Sequence, residues 1–124
     1  MSVEKFSRIF DGLKEAYGTF RIGKKQANGK SAGRAAIIRE PRTKALWEGH
    51  LSGKGVSVGV IPINENNSSK WGCIDVDQYP LDHLGLITKI RKLKLPLVMC
   101  RSKSGGAHVF LFAKEPIKAK LIRD

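Results

Sequence analysis

The sequence predicts an α+β protein with one sheet built in the order strand, helix, strand, strand. Residues 71–77, WGCIDVD, and residues 107–113, AHVFLFA, alternate in polarity as strands do. Between them, residues 83–94 carry apolar side chains at helical spacing, and residues 97–100, LVMC, form a short apolar run. This order is that of a βαββ half of a ferredoxin-like, or RRM-like, sheet.

The composition fits one small domain that meets a polyanion. The chain has 124 residues, of which 23 are Lys or Arg and 11 are Asp or Glu, giving a formal charge of +12. Such a charge favours nucleic acid as the partner, with a merely soluble basic protein as the alternative. No apolar run reaches the ~20 residues that span a bilayer, so no membrane partner is expected. Two distant cysteines and no signal-peptide pattern predict a cytoplasmic protein.

The first part of the chain is predicted to form a helix followed by a basic loop. Residues 3–17 repeat apolar side chains at helical spacing, with Ser2 as the N-cap and Gly18 beyond the end. Residues 21–34, RIGKKQANGKSAGR, contain no acid and three glycines, and are predicted to be a flexible loop. The Gly-Lys-Ser within them is not a phosphate-binding P-loop, because lysine occupies the position of that motif's first glycine.

This basic loop is a candidate nucleic-acid contact, although a solvated run of charge is the alternative interpretation. The residues proposed for the contact are Lys24, Lys25, Lys30 and Arg34.

Further strands are expected at residues 35–39 and 55–63, and the latter is predicted to pair with 71–77 as a hairpin. The boundary between an N-terminal αβ module, residues 1–63, and the start of the RRM-like module, residues 64–124, is placed at the intervening turn.

Two aspartates, Asp75 and Asp77, lie one residue apart in a predicted strand. Alternate strand residues share a face, so the two side chains project together, ~7 Å apart at Cα by strand rise, while Ile74 and Val76 are expected to be buried. Carboxylates this close repel unless a cation lies between them, and hard oxygen ligands suit Mg²⁺ or Mn²⁺. The motif is short, however, and simple strand capping or salt bridging is the alternative.

A basic, glycine-rich turn precedes His108 and suits a triphosphate, because exposed amides in such turns bind anions. The residues concerned are Arg101, Lys103, Ser104, Gly105 and Gly106. If the helical crossover is right-handed, strand 97–100 runs parallel to the aspartate strand, and the turn lies beside the carboxylates. Metal carboxylates next to a polyphosphate cradle predict a nucleotidyl-transfer site.

Phe110 and Phe112 share a face with His108. They are expected to pack against the N-terminal part, with base stacking as the alternative. Cys73 and Cys100 lack the paired spacing of zinc ligands, so no zinc site is expected.

GCIDVD, followed by a helix, a strand and RSKSGGAHVFLF, resembles the archaeo-eukaryotic primase superfamily, and is closest to phage and plasmid primase-polymerases and the primase part of TOTE conflict systems. FSRIFDGLKEAYG and WEGHLSGKGVSVGVIPI resemble the lead-in segments of those proteins. The resemblance implies an RRM-like catalytic module packed on an N-terminal αβ module with a cleft between them. It also implies a bacterial or phage-infected cell, a DNA template, NTP or dNTP substrates and an associated helicase domain or subunit.

By this resemblance, Asp75 and Asp77 match the divalent-metal carboxylates, and His108 matches a histidine that contacts the phosphates of the incoming nucleotide. The turn around Ser104, with Arg101 and Lys103, matches the adjoining nucleotide-binding segment. The family has a third metal carboxylate downstream, which residues up to Asp124 do not supply. An N-terminal fragment of a longer primase-polymerase is therefore expected, and by itself it lacks one of the family's metal carboxylates. A non-catalytic RRM-like nucleic-acid-binding module and a metal-dependent nuclease are the alternatives.

Overall fold

The computed structural model describes residues 2–27 and 31–124. The chain divides into two compact units, Met1–Ser68 and Ser69–Asp124. Within the described ranges there are four helices and two three-stranded antiparallel sheets, which confirms the predicted α+β class. No helix in those ranges has both the length and the apolar character needed to cross a bilayer.

The first unit contains an antiparallel sheet with two helices. Its elements are α1 (Val3–Ile9), β1 (Tyr17–Lys25), β2 (Ser31–Ile38), α2 (Lys44–Ser52) and β3 (Ser57–Gly59). Strand β1 is central, with β2 and β3 both antiparallel to it. The predicted strand at 35–39 is therefore the second half of the longer β2.

Helix α1 is shorter than the predicted helix over 3–17, which is wrong beyond Ile9. Ser2 does cap it, since its hydroxyl accepts a hydrogen bond from the Lys5 amide at 3.2 Å. The chain then leaves the helix because the Leu13 amide donates to the Ile61 carbonyl at 2.9 Å. Gly12 permits this approach, since a Cβ there would collide with the Ile61 carbonyl. A long-range contact thus outcompetes the local helical pattern.

The predicted flexible loop over 21–34 is wrong for residues 21–25 and 31–34, which form paired strands, while residues 28–30 of that prediction lie outside the described residues. Residues 21–25 belong to β1 and residues 31–34 to β2, with Arg21 directly opposite Arg34. The glycines of this segment favoured a loop in the sequence prediction, because glycine usually weakens the interior of a strand. Gly33 has a packing role instead, since the ring of Phe20 occupies the space that its side chain would need.

Helix α2 was missed by the sequence patterns, although both of its ends carry ordinary caps. The Thr43 hydroxyl accepts from the Leu46 amide at 3.2 Å, and Gly53 ends the helix with φ of 70°. Trp47 of this helix is buried, 5.6 Å from the ring of Phe6 in α1. The two helices therefore form an aromatic contact within the first unit.

The predicted hairpin between residues 55–63 and 71–77 is wrong. Strand β3 covers only Ser57–Gly59 and pairs with β1, where Thr19 lies opposite Val58. Beyond the end of β3, the Ile61 carbonyl accepts from the Leu13 amide, and the nitrogen of Pro62 has no hydrogen to donate to a ladder.

Arg42 has a buried side chain, 8% exposed. It is the most buried of the positively charged side chains that form ion pairs among the described residues of the first unit. Its Nη1 donates to the Leu13 carbonyl at 2.6 Å, and its Nη2 lies 3.6 Å from Oδ1 of Asp11. These contacts hold the segment between α1 and β1 in place. The basic residue here thus supports the fold.

The second unit has the predicted βαββ order. Its elements are β4 (Ser68–Val76), α3 (His83–Lys92), β5 (Leu97–Arg101), β6 (Ala107–Lys118) and α4 (Ala119–Arg123). Strand β6 lies between β4 and β5 and is antiparallel to both, so β4 and β5 run in the same direction. This is the split βαβ arrangement of ferredoxin-like sheets.

The helix of this unit begins as predicted, because the Asp82 carboxylate accepts from the Gly85 amide at 3.0 Å. Ile90 of α3 and Val109 of β6 are buried. The expected burial of Ile74 is wrong, since 61% of that residue is exposed, whereas Val76 is partly buried. Ile74 lies on β4, an edge strand of the described sheet, so a neighbouring strand flanks it on one side only.

Candidate functional site

Asp75 and His108 meet on one face of the second sheet. Oδ1 of Asp75 in β4 lies 3.3 Å from Nε2 of His108 in β6, and both side chains are substantially exposed. His108 is also the partner of Cys100 in the β5–β6 register. The central position of β6 explains the meeting, because it brings the second residue of that strand beside the end of β4.

Asp77 lies just past the end of β4 and is held by a chain of hydroxyl groups. The Tyr79 hydroxyl donates to Oδ1 of Asp77 at 3.0 Å and lies 2.8 Å from Oγ of Ser104. Oγ of Ser104 is in turn 3.1 Å from Oγ of Ser102. The segment after the aspartates therefore contacts the turn before His108 directly.

That turn, residues 102–106, is closed by two backbone hydrogen bonds. The Ser102 amide donates to the Gly106 carbonyl at 3.0 Å, and the Gly105 amide donates to the Ser102 carbonyl at 3.1 Å. Gly105 has φ of 97°, a left-handed conformation that glycine adopts without strain. Across the described ranges, the amides of Lys103 and Ser104 have no acceptor, so they are available to an anion.

Gly106 brings this turn against the aspartate strand. A Cβ at Gly106 would collide with the Val76 carbonyl at the end of β4, so only glycine allows this approach. His83, at the start of α3, adds a second contact, because its Nε2 lies 2.9 Å from the Gly106 carbonyl. Since a carbonyl can only accept, Nε2 of His83 carries the proton. The 102–106 turn therefore lies beside the strand that carries the carboxylates, as predicted.

The carboxylates of this site fit a divalent ion only if a bound phosphate ligand supplies further oxygen atoms. Asp75 and Asp77 supply carboxylate oxygens and are exposed, but the described residues contain no group of three or more His, Cys, Asp or Glu side chains arranged to hold a metal. Mg²⁺ is commonly held by one or two carboxylates plus substrate phosphates and waters. Two carboxylates beside an anion-suited turn match that mode of binding.

Cys73 lies on the same strand, two residues before Asp75. Partial burial, and then the nearby Asp75 carboxylate, raise the pKa of the Cys73 thiol above its ordinary value. Both cysteines are free thiols. Cys73 is therefore a protonated neighbour of the site at neutral pH.

An aromatic row continues the face of His108 along β6. The ring of Phe110 lies 6.1 Å from that of His108 and 5.6 Å from that of Phe112, which it stacks at an interplanar angle of 21°. Trp71 of β4 joins the row at 6.1 Å from Phe110. The predicted sharing of one face by these side chains is confirmed. Whether they pack or bind bases stays a prediction.

The predicted nucleic-acid residues lie on the β1–β2 hairpin. Arg34 and Lys24 are exposed, while Lys30 and the side chain of Lys25 lie outside the described residues. The register adds Arg21, which was not among the predicted contacts, opposite Arg34. No ion pair with either arginine occurs in the described part of the chain. Like charges directly opposite each other destabilise a sheet, so this pair favours an anionic ligand.

Sequence reasoning missed Tyr79 and His83, which hold the turn. The available signal was their position within six residues after Asp77. Their partners Ser104 and Gly106 follow a helix and a strand later, so the contacts depend on the fold.

A βαββ sheet with an aspartate–histidine pair beside an anion-suited turn is consistent with a nucleotide-handling α+β protein. The chain belongs to the archaeo-eukaryotic primase family of TOTE conflict systems, since the family described as "TOTE conflict system, Archaeo-Eukaryotic Primase domain" matches residues 15–124. This family is one of primase-like nucleotidyltransferases, as the resemblance implied. Comparison with curated proteins gives no match.

Proposed function

We propose that this chain forms part of a template-directed primase-polymerase that transfers nucleotides from NTP or dNTP in a reaction dependent on divalent metal. The observation that carries the proposal is the 3.3 Å contact between His108 and Asp75, at the sheet edge where the 102–106 turn meets the end of β4. A carboxylate, an imidazole and an anion-suited turn are the groups that nucleotidyl transfer uses.

In the proposed reaction, a primer 3′-hydroxyl, or the hydroxyl of the first nucleotide, loses its proton to solvent and forms a bond to the α-phosphorus. The bond from the α-phosphorus to the bridging oxygen of the β-phosphate breaks, and pyrophosphate leaves. Asp75 and Asp77 would hold Mg²⁺ or Mn²⁺, and the ion would supply charge stabilisation for the reacting phosphate oxygens. His108, Arg101 and Lys103 bind the triphosphate with charge-assisted hydrogen bonds.

The backbone completes this proposed phosphate site. The amides of Lys103 and Ser104 are available for phosphate oxygens, while the Gly105 amide is used within the turn. Gly105 and Gly106 contribute by shape, since one allows the left-handed turn and the other the approach to β4.

The β1–β2 hairpin is proposed to contact the backbone of a DNA template, which we propose to be single-stranded. Arg21 and Arg34 point from one face of the hairpin because directly paired residues share a face. Lys24 adds a third exposed cation. Contacts of this kind bind phosphates without reading sequence.

The test is primer synthesis and extension by the full-length protein with Asp75→Ala plus Asp77→Ala. Loss of synthesis by at least a hundredfold is expected, since these carboxylates hold the metal. Glu65→Ala, which removes an exposed acid from a turn of the first unit, is the matched control and should leave synthesis unchanged. Retained synthesis in the double variant would overturn the assignment.

A non-catalytic nucleic-acid-binding module is the second candidate, favoured by the stacked rings of Phe110 and Phe112. It predicts oligonucleotide binding that is indifferent to Mn²⁺ and is weakened most by Phe110→Ala. A nuclease would instead cut DNA without nucleotides in the same assay.

A further inference from the structure

Tyr79 connects the end of the aspartate strand to the turn before His108. Its hydroxyl is within 3.0 Å of Oδ1 of Asp77 and within 2.8 Å of Oγ of Ser104, on a residue that is 54% exposed. The contact with Asp77 is local, two residues away, whereas the contact with Ser104 joins residues 25 positions apart and depends on the fold. One phenolic oxygen thus bridges two parts of the candidate site.

The direction of these hydrogen bonds follows from the chemistry of the groups. An ionised carboxylate can only accept, so the single hydroxyl proton of Tyr79 goes to Asp77. Ser104 must then donate its proton to the Tyr79 oxygen, and Ser102 donates to Ser104. The result is a directed chain that runs from Ser102 through Ser104 and Tyr79 to the Asp77 carboxylate.

We propose that Tyr79 is a positioning residue that fixes the Asp77 carboxylate relative to the nucleotide-binding turn through this hydrogen-bonded chain. The inference rests on the proposed function of Asp77 and the turn. Two consequences follow from the direction of the chain. Oδ1 of Asp77 already accepts one hydrogen bond from Tyr79, so Oδ2 has more acceptor capacity left for a metal ion. The Ser104 proton is also used, so Ser104 offers a phosphate its amide and not its hydroxyl.

The structure also indicates where the effect of Tyr79 should be measured. Asp77, Tyr79 and Ser104 are all exposed, so water replaces their hydrogen bonds at little cost and the chain adds little to folding stability. The hydrogen-bonded chain instead preorganises the site, because a metal–nucleotide complex must contact the Asp77 carboxylate and the turn at the same time. Loss of the hydroxyl should therefore weaken ligand binding without lowering the unfolding temperature.

The experiment measures Mn²⁺-dependent dATP binding by the full-length protein with titration calorimetry. Tyr79→Phe, which keeps the ring and removes only the hydroxyl, should weaken binding roughly threefold to tenfold, the equivalent of one hydrogen bond. In primer extension it should raise the KM for nucleotide by a similar factor and leave kcat within about twofold. Tyr17→Phe, the same change in the first unit, is the matched control and should leave binding and kinetics unchanged.

Ser104→Ala provides a second approach to the same chain and a test of its connectivity. If Ser104 and Tyr79 act through one hydrogen-bonded chain, Tyr79→Phe should have less than half its effect in the Ser104→Ala background. Independent, fully additive effects would overturn the proposed chain. Unchanged dATP binding in Tyr79→Phe, with binding still lost in Asp75→Ala plus Asp77→Ala, would overturn the role of Tyr79 alone. If the Asp75→Ala plus Asp77→Ala variant binds Mn²⁺–dATP as tightly as the unsubstituted protein does, the proposed function and this inference are both overturned.

Discussion

His108 Nε2 lies 3.3 Å from Asp75 Oδ1, although helix α3, strand β5 and a turn separate the two residues in the sequence. The contact exists because β6 returns between β4 and β5 and places its second residue beside the aspartate strand. A phosphate that reaches His108 is thereby brought next to a carboxylate proposed to hold its counter-ion.

His108→Ala should lower kcat/KM for the incoming nucleotide by about a hundredfold, since it removes a donor proposed to contact the triphosphate. Steady-state primer extension by the full-length protein measures this effect. Combined with Asp75→Ala, the second substitution should add little, because residues of one site are strongly non-additive. A double variant whose loss equals the product of the single losses would contradict the pairing.

Arg21→Gln plus Arg34→Gln should weaken oligonucleotide binding and flatten its dependence on salt. Two phosphate contacts to single-stranded nucleic acid correspond to a change of about 1.4 in the slope of log K against log salt. Fluorescence anisotropy with a labelled oligonucleotide at several salt concentrations measures the slope. Arg91→Gln plus Lys92→Gln removes the same charge from the second unit, and an equal change there would show that the attraction is diffuse.

Cys73 should react slowly with iodoacetamide in chelator-treated protein at pH 8, because its raised pKa leaves little thiolate. Asp75→Asn removes one cause of that shift, so it should lower the pKa and speed alkylation by a few-fold. The measurement uses a Cys100→Ser background and mass spectrometry. Asp77→Asn is the control, since Asp77 is not among the causes of the shift, and an equal acceleration by both variants would contradict the account.

Arg42→Ala should destabilise the protein by about 2 kcal/mol, since the Leu13 carbonyl loses a buried, charge-assisted hydrogen bond. Urea denaturation followed by tryptophan fluorescence gives the free energy of unfolding. Arg39→Ala, at an exposed position nearby, should change stability by less than about 0.5 kcal/mol. Equal effects would mean that charge alone, and not the burial of Arg42, is responsible.

The helix and strands of the second unit were largely predictable from the sequence, because they follow local patterns of polarity and helical spacing. The predicted helix over 83–94 begins at His83 as α3, and the polarity pattern placed β4, β5 and β6 in their correct order. The right-handed crossover then predicted that the carboxylates and the turn would be neighbours. The limits of that reasoning appear at Ile74, whose exposure depends on what covers an edge strand.

The first unit was predicted poorly because long-range contacts override its local patterns. The Leu13 amide binds Ile61 in preference to a helical partner, and β3 pairs with β1 although the pattern of alternation suited a hairpin with β4. The glycines of the basic segment suggested a loop, yet Gly33 accommodates the ring of Phe20 within a strand pair. Each of these contacts joins residues that are distant in the sequence, so a short stretch of sequence does not specify it.

The sequence by itself determined the α+β class, the charge, the aspartates on one strand and the glycine turn before His108, because each depends on local periodicity and residue chemistry. Only the tertiary structure decided which atoms meet. Tyr79 and Ser104 are ordinary residues in the sequence, and they share a hydrogen bond because antiparallel pairing on β6 brings the ends of β4 and β5 to one edge. Arg21 likewise faces Arg34 because of strand register, which no local pattern specifies.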